Sequence, residues 1–555
     1  MKMKRTLTIT MIIMSCLSTN LYAFGLDLLN VGTTNVEENV AAPVNNGTSN
    51  SLSLAAIGDR ITAQRCRLID EQGRTVILRG ANVGQKGNNY LPLHDAAAIK
   101  KLVTATGINF VRMYISWRRL EPKPLEFCDE YAEQVAKSVQ LFNEAGVYVL
   151  IDMHQDVWGA PFSGSGAPEW AALGVNEPQT PMTKGLPWQA QYLDRRVYLS
   201  FNHFWNNSSS PEIQIPLQQH YAMAFELVAK KLAENKMVLG YDLMNEPFMG
   251  EEIEFALDEL VEAMAPKFED SLLNAGKDAI LGNSDYAKTL SYKMVTYFQE
   301  ANHFDEAFKP FARATAAFEK RLEAFYKGVG TAIRKHDKNS MLFLEPMALA
   351  GVGMPTYLEN PGLENIAYAP HLYDCFMDSD LPYDNNPKRV LNALNKHLET
   401  AKRLNAPLVI GEWGNLPNQE EEREKVSNFA QTVGEAIDKS FCGAAYWDHH
   451  PGKEKKASFR LGFRPYARRV AGKISKMTFD WDKGEFHLTY QAAGNVKAPT
   501  VVALPVVNLS GDLALSVESA KGGARYEITE NPRLLLLWAN DEEVEVTISK
   551  SENTL

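Results

Sequence analysis

The stretch VLGYDLMNEPF, residues 238–248, decides how the chain folds. Its first part, VLGYDLM, is almost continuously apolar and runs straight into Asn245, Glu246 and Pro247. Unbroken hydrophobicity over a strand's length suits a parallel strand covered on both faces. A carboxylate where such a strand ends is costly unless it has partners or work to do. Taken alone, Glu246 is explained as well by a cap on the next helix, since acidic residues suit helix N-termini.

The same texture recurs along the chain. VILRGANV (76–83), FVRMYIS (110–116) and YVLIDMH (148–154) precede that stretch. MLFLEP (341–346), IAYAPHLY (366–373), PLVIGEW (407–413) and AAYW (444–447) follow it. Eight such segments with helical patterns between them count out an α/β fold, a (β/α)8 TIM barrel. A doubly wound sheet fits the pattern too, but no glycine-rich phosphate loop follows the first strand, so its dinucleotide-binding version has no support. One connection is too long, with about ninety residues between Pro247 and Met341 where roughly thirty would serve a barrel. Within it Phe311, Phe318, Leu322, Phe325 and Val329 keep helical spacing and are expected to form the barrel's fourth helix. The excess, about 249–305, opens with Ile253, Leu257, Leu260 and Met264 on one helical face and Glu251, Glu252, Asp258 and Glu262 on the other. Following the fourth strand, it is expected beside the barrel mouth, as a lid or rim or as a packing embellishment.

A chain of 555 residues exceeds one ordinary core, and two or three domains are expected. Past residue 475 short alternating segments punctuated by turns, among them RYEITE and EVEVTISK, predict a C-terminal antiparallel β-sandwich over 475–555, after a barrel over 59–474. No cluster of titratable groups marks it, so support is its expected role. At the other end Lys2, Lys4 and Arg5 precede LTITMIIM, which predicts a signal peptide over 1–23 and secretion. IMSC, ending at Cys16, resembles a bacterial lipoprotein box and offers lipid anchoring as the alternative. Residues 24–58, rich in Asn, Thr, Ser and Gly, read as a flexible leader. A net charge of -11 argues against nucleic acid and leaves a lipid surface open. Cys66, Cys128, Cys375 and Cys442 match no zinc spacing and are expected as buried free thiols in a monomer.

In a barrel the strand C-termini converge on one mouth, where catalytic residues gather. The polar residues there are Arg112; Asp152, His154 and Asp156; Asn245 and Glu246; His371 and Tyr373; Glu412; and Trp447. Each alone has a structural explanation, and the set points to chemistry. Glu246 and Glu412 end strands four and seven, which face each other across a barrel. Such a pair invites glycoside hydrolysis, one carboxyl as acid and the other as nucleophile or base. A metal held by His154 and His371 with Asp152 or Asp156 is the rival, but no compact HxH or HExxH arrangement is present, and neither metal nor cofactor is expected.

DLMNEPF (242–248), GEWG (411–414), HLY (371–373), DMHQDVW (152–158) and YW (446–447) resemble clan A retaining β-glycosidases of glycoside hydrolase family 5. FVRMYISWRRLEP (110–122), DMHQDVW, GAPEW (166–170), FNHFW (201–205) and DLMNEPF resemble endoglycoceramidases more narrowly. The resemblance covers about 65–555 without much of 249–305. It implies release of an intact oligosaccharide from ceramide, with Glu412 as nucleophile and Glu246 as acid/base. It implies that Asn245 holds the sugar 2-hydroxyl, that Tyr373 and Arg112 serve the nucleophile, and that His371 joins the substrate-binding set. His154, Asp156, Lys86, Trp188 and Trp447 would line the first sugar subsite. Two departures bear on sugar and aglycone preference: Asp448, His449 and His450 stand where relatives carry smaller polar residues, and Glu345 with Pro346 and Met347 ends strand five where a glutamine is expected nearby. A glycosphingolipid substrate carries two acyl chains, each buried methylene worth roughly 0.8 kcal/mol, so a membrane or micelle surface is the implied partner. Trp158, Phe162, Trp170 and Phe248 are candidates for an apolar groove, or simply pack beneath loops. The alternatives are an endo-β-1,4-glucanase or other family 5 β-glycosidase acting on a different glycolipid or polysaccharide, and an inactive glycolipid-binding protein.

Overall fold

The computed structural model describes residues 58–551 apart from 87–89, 178–190, 193, 257–258, 260–296, 298–302, 304–305, 307, 310, 375–382, 384, 415–422 and 531. The expected signal peptide, almost all of the leader, Trp188, Cys375, and most of the 249–305 insertion, including Leu257, Leu260 and Met264, lie outside the described residues.

Three short strands come first: β1 (Ile61–Gln64), β2 (Arg67–Asp70) and β3 (Thr75–Val76). The barrel follows with β4 (Arg79–Val83), α1 (Ala96–Thr106), β5 (Phe110–Ile115), α2 (Asp129–Glu144) and β6 (Tyr148–Met153). Next come α3 (Arg195–Trp205), α4 (Leu217–Leu232), β7 (Val238–Asp242), α5 (Phe311–Arg334), β8 (Met341–Leu344) and β9 (Ile366–Tyr368). It ends with α6 (Lys388–Leu404), β10 (Val409–Gly414), α7 (Arg423–Lys439) and β11 (Gly443–His449). The sheet order β10-β11-β4-β5-β6-β7-β8-β9 is parallel throughout. Parallel bridges Tyr368–Leu408 and Leu372–Trp413 bring β9 alongside β10 and close the ring. Each of the eight apolar segments coincides with one barrel strand or overlaps most of it.

Local sequence explains the helices. Asp95 caps α1 by accepting the Ala98 N–H at 2.7 Å, and Gly107 ends it in the left-handed region at φ 65°. Phe311, Phe318, Leu322, Phe325 and Val329 all lie on the buried face of α5, the expected fourth barrel helix. Between β8 and β9 the described connection is a short 3-10 turn, Ala348–Val352, and extended chain rather than a helix.

The inward faces of three barrel strands follow one gradient. Phe110, Arg112 and Tyr114 alternate on β5, Tyr148, Leu150 and Asp152 on β6, and Met341, Phe343 and Glu345 along and just past β8. Each runs from apolar at the strand start to polar at its end, so the barrel has an apolar foot and a charged mouth. The foot is plugged by the β1–β3 segment, whose Ile61, Leu68 and Val76 pack with Leu78, Phe110, Tyr148, Met341 and Val409.

Eight more strands complete the chain: β12 (Tyr466–Val470), β13 (Gly472–Asp480), β14 (Glu485–Ala492), β15 (Thr500–Ala503), β16 (Leu513–Ser519), β17 (Arg525–Glu530), β18 (Arg533–Trp538) and β19 (Glu543–Lys550). They form two antiparallel sheets, β1-β2-β3-β12-β15-β18-β17 and β13-β14-β19-β16, whose facing residues share one core. Residues 61–76 and 466–470 fall inside the stretch 59–474 that the pattern assigns to the barrel, yet they pair in the C-terminal sheet, Val76 against Arg469. Strands this short carry too little alternation to reveal a partner roughly four hundred residues away. A buried ion-pair cluster lies where the barrel leads into the sandwich: Arg79 Nη2 on β4 meets Asp438 Oδ1 on α7 at 2.7 Å, and Arg464, just before β12, meets Oδ2 of the same carboxylate. Of the cysteines expected to be buried, Cys442 is buried, Cys128 is half-buried and Cys66 is exposed; all three are free. Cys66 lies in the turn between β1 and β2, where no layer covers it.

Candidate active site

Arg112 organises the barrel mouth. Fully buried, its guanidinium donates to Asp242 Oδ2 (2.8 Å), Glu345 Oε1 (2.8 Å), Glu412 Oε1 (2.7 Å), Asn245 Oδ1 (2.9 Å) and Asn82 Oδ1 (3.1 Å), and Asp152 Oδ2 lies 3.1 Å away. Four carboxylates around one guanidinium concentrate an excess of negative charge in a dry site, which the imidazoles of His154 beside Asp152 and His371 beside Glu345 offset only in part. Burial, reinforced by Glu345, pushes Asp242 well above the usual carboxylate range, which removes part of that excess.

Glu412 reaches the mouth through an irregularity. Val409 faces the barrel interior and Ile410 the helices, so strict alternation would turn Glu412 outward with Ile410. The register of β10 against β11 shifts between Ile410 and Trp413, and Glu412 is aimed at Arg112 instead. Its second oxygen, Oε2, accepts from the Tyr373 hydroxyl at 2.9 Å. Burial pushes the Glu412 carboxyl up, while His371 and Arg112 pull against it.

Glu246 follows β7 in the left-handed region, φ 43°, unusual for a non-glycine residue. Its Oε1 lies 2.9 Å from His371 Nδ1, which is also 3.5 Å from Glu412 Oε2. Ligand atoms of Glu246, His371 and Glu412 all lie within 4.8 Å of one another. Retaining glycosidases hold their carboxyls about 5–5.5 Å apart, inverting ones about 6.5–9.5 Å. The same three groups have the makings of a cation site, but burial is outweighed at His371 by Glu345 and Glu412, which push it well above the ordinary imidazole range. A metal bound there would have to displace that proton.

Beside the carboxylates lies a polar wall. His154 Nδ1 pairs with Asp152 Oδ2 at 2.8 Å, and its ring stacks on Tyr114 at 4.7 Å, which stacks on Trp447 at 5.4 Å. Burial opposes charge on His154, yet Asp152 and Asp156 push its pKa up to about 9. Asp156 accepts from Ser165 Oγ (2.8 Å) and meets Lys86 Nζ at 2.9 Å, and Lys86 lies 4.7 Å over the Trp447 ring. Asn245 spans the site, its Nδ2 donating to the Gln155 carbonyl at 2.9 Å. The structure thus brings together Arg112, His154, Asp156, Lys86, Asn245, Glu246, His371, Tyr373, Glu412 and Trp447; Trp188 lies outside the described residues.

Sequence reasoning missed Tyr114, Asn82, Gln155 and the part played by Glu345. Tyr114 was within reach, because it shares the inward face of β5 with Arg112 two residues before it. The groove expectation is corrected for three residues. Trp158, Phe162 and Phe248 are buried, Trp158 against Phe204 at 4.8 Å and Phe248 against Tyr192 at 4.7 Å, because aromatics on consecutive loops satisfy one another first. Among the described residues, Leu93, Leu125, Val175 and Phe255 are exposed, one on each of the loops following β4, β5, β6 and β7.

The family model for Cellulase (glycosyl hydrolase family 5) matches residues 69–297 and 285–453, and that for the Glycoside hydrolase family 5 C-terminal domain matches 464–549. Endoglycoceramidase I of Rhodococcus hoagii (strain 103S) is 22% identical over 493 residues, covering 83% of each chain. Among solved structures, endo-glycoceramidase II from Rhodococcus sp. as its lactosyl-enzyme intermediate is 25% identical with a TM-score of 0.64, covering 87% of this chain and 99% of that one. The same enzyme in complex with ganglioside GM3 superposes with a TM-score of 0.66 at 24% identity, over 88% of this chain and 100% of that one, a likeness of fold.

Proposed function

The chain belongs to glycosyl hydrolase family 5, and we propose that within it this glycoside hydrolase cleaves, with retention, the bond between an oligosaccharide and ceramide in glycosphingolipids. The observation that carries retention is the spacing of Glu246 and Glu412, whose oxygens approach within 4.8 Å, short of the roughly 6.5–9.5 Å separation of inverting enzymes. Glu412 attacks the anomeric carbon while Glu246 gives its proton to the departing ceramide oxygen. Water then attacks the glycosyl-enzyme, Glu246 takes the water's proton, and Glu412 is released as carboxylate. Arg112 and the Tyr373 hydroxyl each donate to one oxygen of Glu412, so the nucleophile is oriented before substrate arrives. Asn245 is the partner of the sugar 2-hydroxyl, and His154, Asp156, Lys86 and Trp447, with Trp188, hold the first sugar.

The lipid half of the reading is supported by the endoglycoceramidase relatives and by the exposed Leu93, Leu125, Val175 and Phe255. Apolar groups on mouth loops suit work at a membrane or micelle surface, where the ceramide stays in lipid while the head group enters the barrel. The N-terminal charge-then-apolar pattern supports export by a signal peptide, with a lipid anchor at Cys16 as the other form of the same location. The test is incubation with a ganglioside, lactosylceramide and carboxymethylcellulose. Free ceramide together with intact oligosaccharide is expected. Cleavage of the polymer alone would make the enzyme an endo-β-glucanase, and no turnover of any of the three would leave a binding protein.

A further inference from the structure

The roles given to Glu246 and Glu412 leave Glu345 without a task, although it is buried at the centre of the site. Its two oxygens do different things. Oε1 takes Arg112 Nη2 at 2.8 Å and lies 3.2 Å from His371 Nε2. Oε2 takes the backbone N–H of Glu246 at 2.9 Å. The other end of that residue is held as well: Gln155 Nε2 donates at 2.9 Å to the Glu246 carbonyl and at 2.9 Å to the Asn245 carbonyl. Gln155 is itself fixed, its Oε1 accepting the Trp158 N–H at 2.9 Å. The backbone of Glu345 is tied to α5 by the Tyr326 hydroxyl, 2.8 Å from the Glu345 carbonyl.

The residue so clamped is the one with φ 43°. A side chain in the left-handed region crowds its own carbonyl, and the conformation persists only where surroundings over-determine it. Rotating φ redirects the Cα–Cβ bond, so the backbone angle of Glu246 sets where its carboxyl points. We propose that Glu345 is a positioning residue for the acid/base: by holding the Glu246 N–H against Gln155's hold on the carbonyl, it fixes the strained backbone that aims the Glu246 carboxyl at the leaving group. The contacts are divided so as to make this specific. Glu412 keeps Arg112 Nη1 and Tyr373 whatever happens to Glu345, and Arg112 keeps Asp242 and Asn82. Losing Glu345 therefore displaces the proton donor more than the nucleophile.

This rests on the assignment of Glu246 as acid/base, and the experiment separates the two. Glu345→Gln keeps the shape but offers one acceptor oxygen where two are used, so Arg112 and the Glu246 N–H compete for it. kcat/KM is measured on paired β-lactosides, one leaving as an alkyl alcohol that needs protonation and one as 2,4-dinitrophenolate that does not. The expected result is a fall of about a hundredfold on the alkyl lactoside, the scale of a general acid moved by an ångström, and on the order of threefold or less on the dinitrophenyl lactoside. Gln155→Met, which removes the clamp from the carbonyl end, is expected to give the same split. Equal losses on both substrates, or no loss on either, overturn the proposal. Collapse of the fold in both variants, read as a lost cooperative thermal transition, also overturns it, since the two side chains would then be structural. Failure of the unmodified enzyme to cleave either lactoside counts against the proposed function instead.

Discussion

The two ends of the barrel bury charge in opposite proportions. At the mouth Arg112 serves Asp152, Asp242, Glu345 and Glu412. At the foot Asp70 serves two arginines, Arg74 Nε at 2.8 Å and Arg469 Nε at 2.9 Å. Arg74 also reaches Asp59 (3.3 Å) and the Pro499 carbonyl (3.1 Å), and Arg469 donates to the Tyr148 hydroxyl at 2.8 Å, while the Nε of buried Arg468 beside them has no hydrogen-bond partner among the described residues. At the mouth, Tyr114 Oη, Asp152 Oδ1 and Asp242 Oδ1 are buried without a hydrogen-bond partner among the described residues. Charges that spend themselves on one another hold a structure together, as the foot holds the sandwich sheet beneath the barrel. Charges with bonding capacity to spare mark a place arranged for a substrate.

If the contrast is sound, it breaks in a definite order. Glu412→Gln removes the proposed nucleophile with a neutral side chain of the same size; turnover is expected to fall by about four orders of magnitude or more, with the melting temperature within a few degrees of the parent. Residual turnover near the parent level would take Glu412 out of the mechanism. Arg112→Met takes the shared guanidinium from four carboxylates and is expected to cost about 3–5 kcal/mol in denaturant unfolding along with activity. A stable, inactive variant would show that the carboxylates can share protons without their arginine.

At the foot, Leu68→Ala opens the apolar plug and is expected to cost about 3 kcal/mol, while kcat per folded molecule stays unchanged. A parallel fall in kcat would couple the two ends. The smallest effect concerns Glu319 on α5, which binds the Met347 and Tyr357 N–H groups and the Thr356 hydroxyl. Burial pushes its carboxyl up to about 7, against those hydrogen bonds and distant Arg403. The folded state then holds this proton where the unfolded chain has released it, so stability through this group is greatest at low pH and falls as pH rises through about 7. The chain is expected to be about 1 kcal/mol more stable at pH 6 than at pH 8 from this source. Unfolding of Glu319→Gln across that range should lack the component; an unchanged slope would assign it elsewhere.

Much of this architecture could be read from the chain because it is written locally. Eight apolar runs gave the eight barrel strands, and the spacing of Phe311, Phe318, Leu322, Phe325 and Val329 gave α5, since burial on a helix or strand imposes a short period on the sequence. The strand-end residues Arg112, Asn245, Glu246 and Glu412 could be picked out because a polar group after a buried strand is anomalous. The β1–β3 plug could not, because its sheet partner β12 lies roughly four hundred residues on. Nor could the fate of Trp158 and Phe248, because an aromatic side chain fits a groove and a core equally well by composition.

By itself, then, the sequence determined which residue types stand at the ends of which strands, and through the family motifs the class of bond they attack. Only the tertiary structure decided how those residues face one another. The register shift that turns Glu412 inward and the left-handed backbone of Glu246 are each a matter of one residue's geometry. Both are accompanied by hydrogen bonds from other strands, from Arg112 on β5 and from Gln155 and Glu345 just beyond β6 and β8. No local pattern encodes a dihedral angle set from across a barrel, because the forces that fix it exist only once the ring has closed.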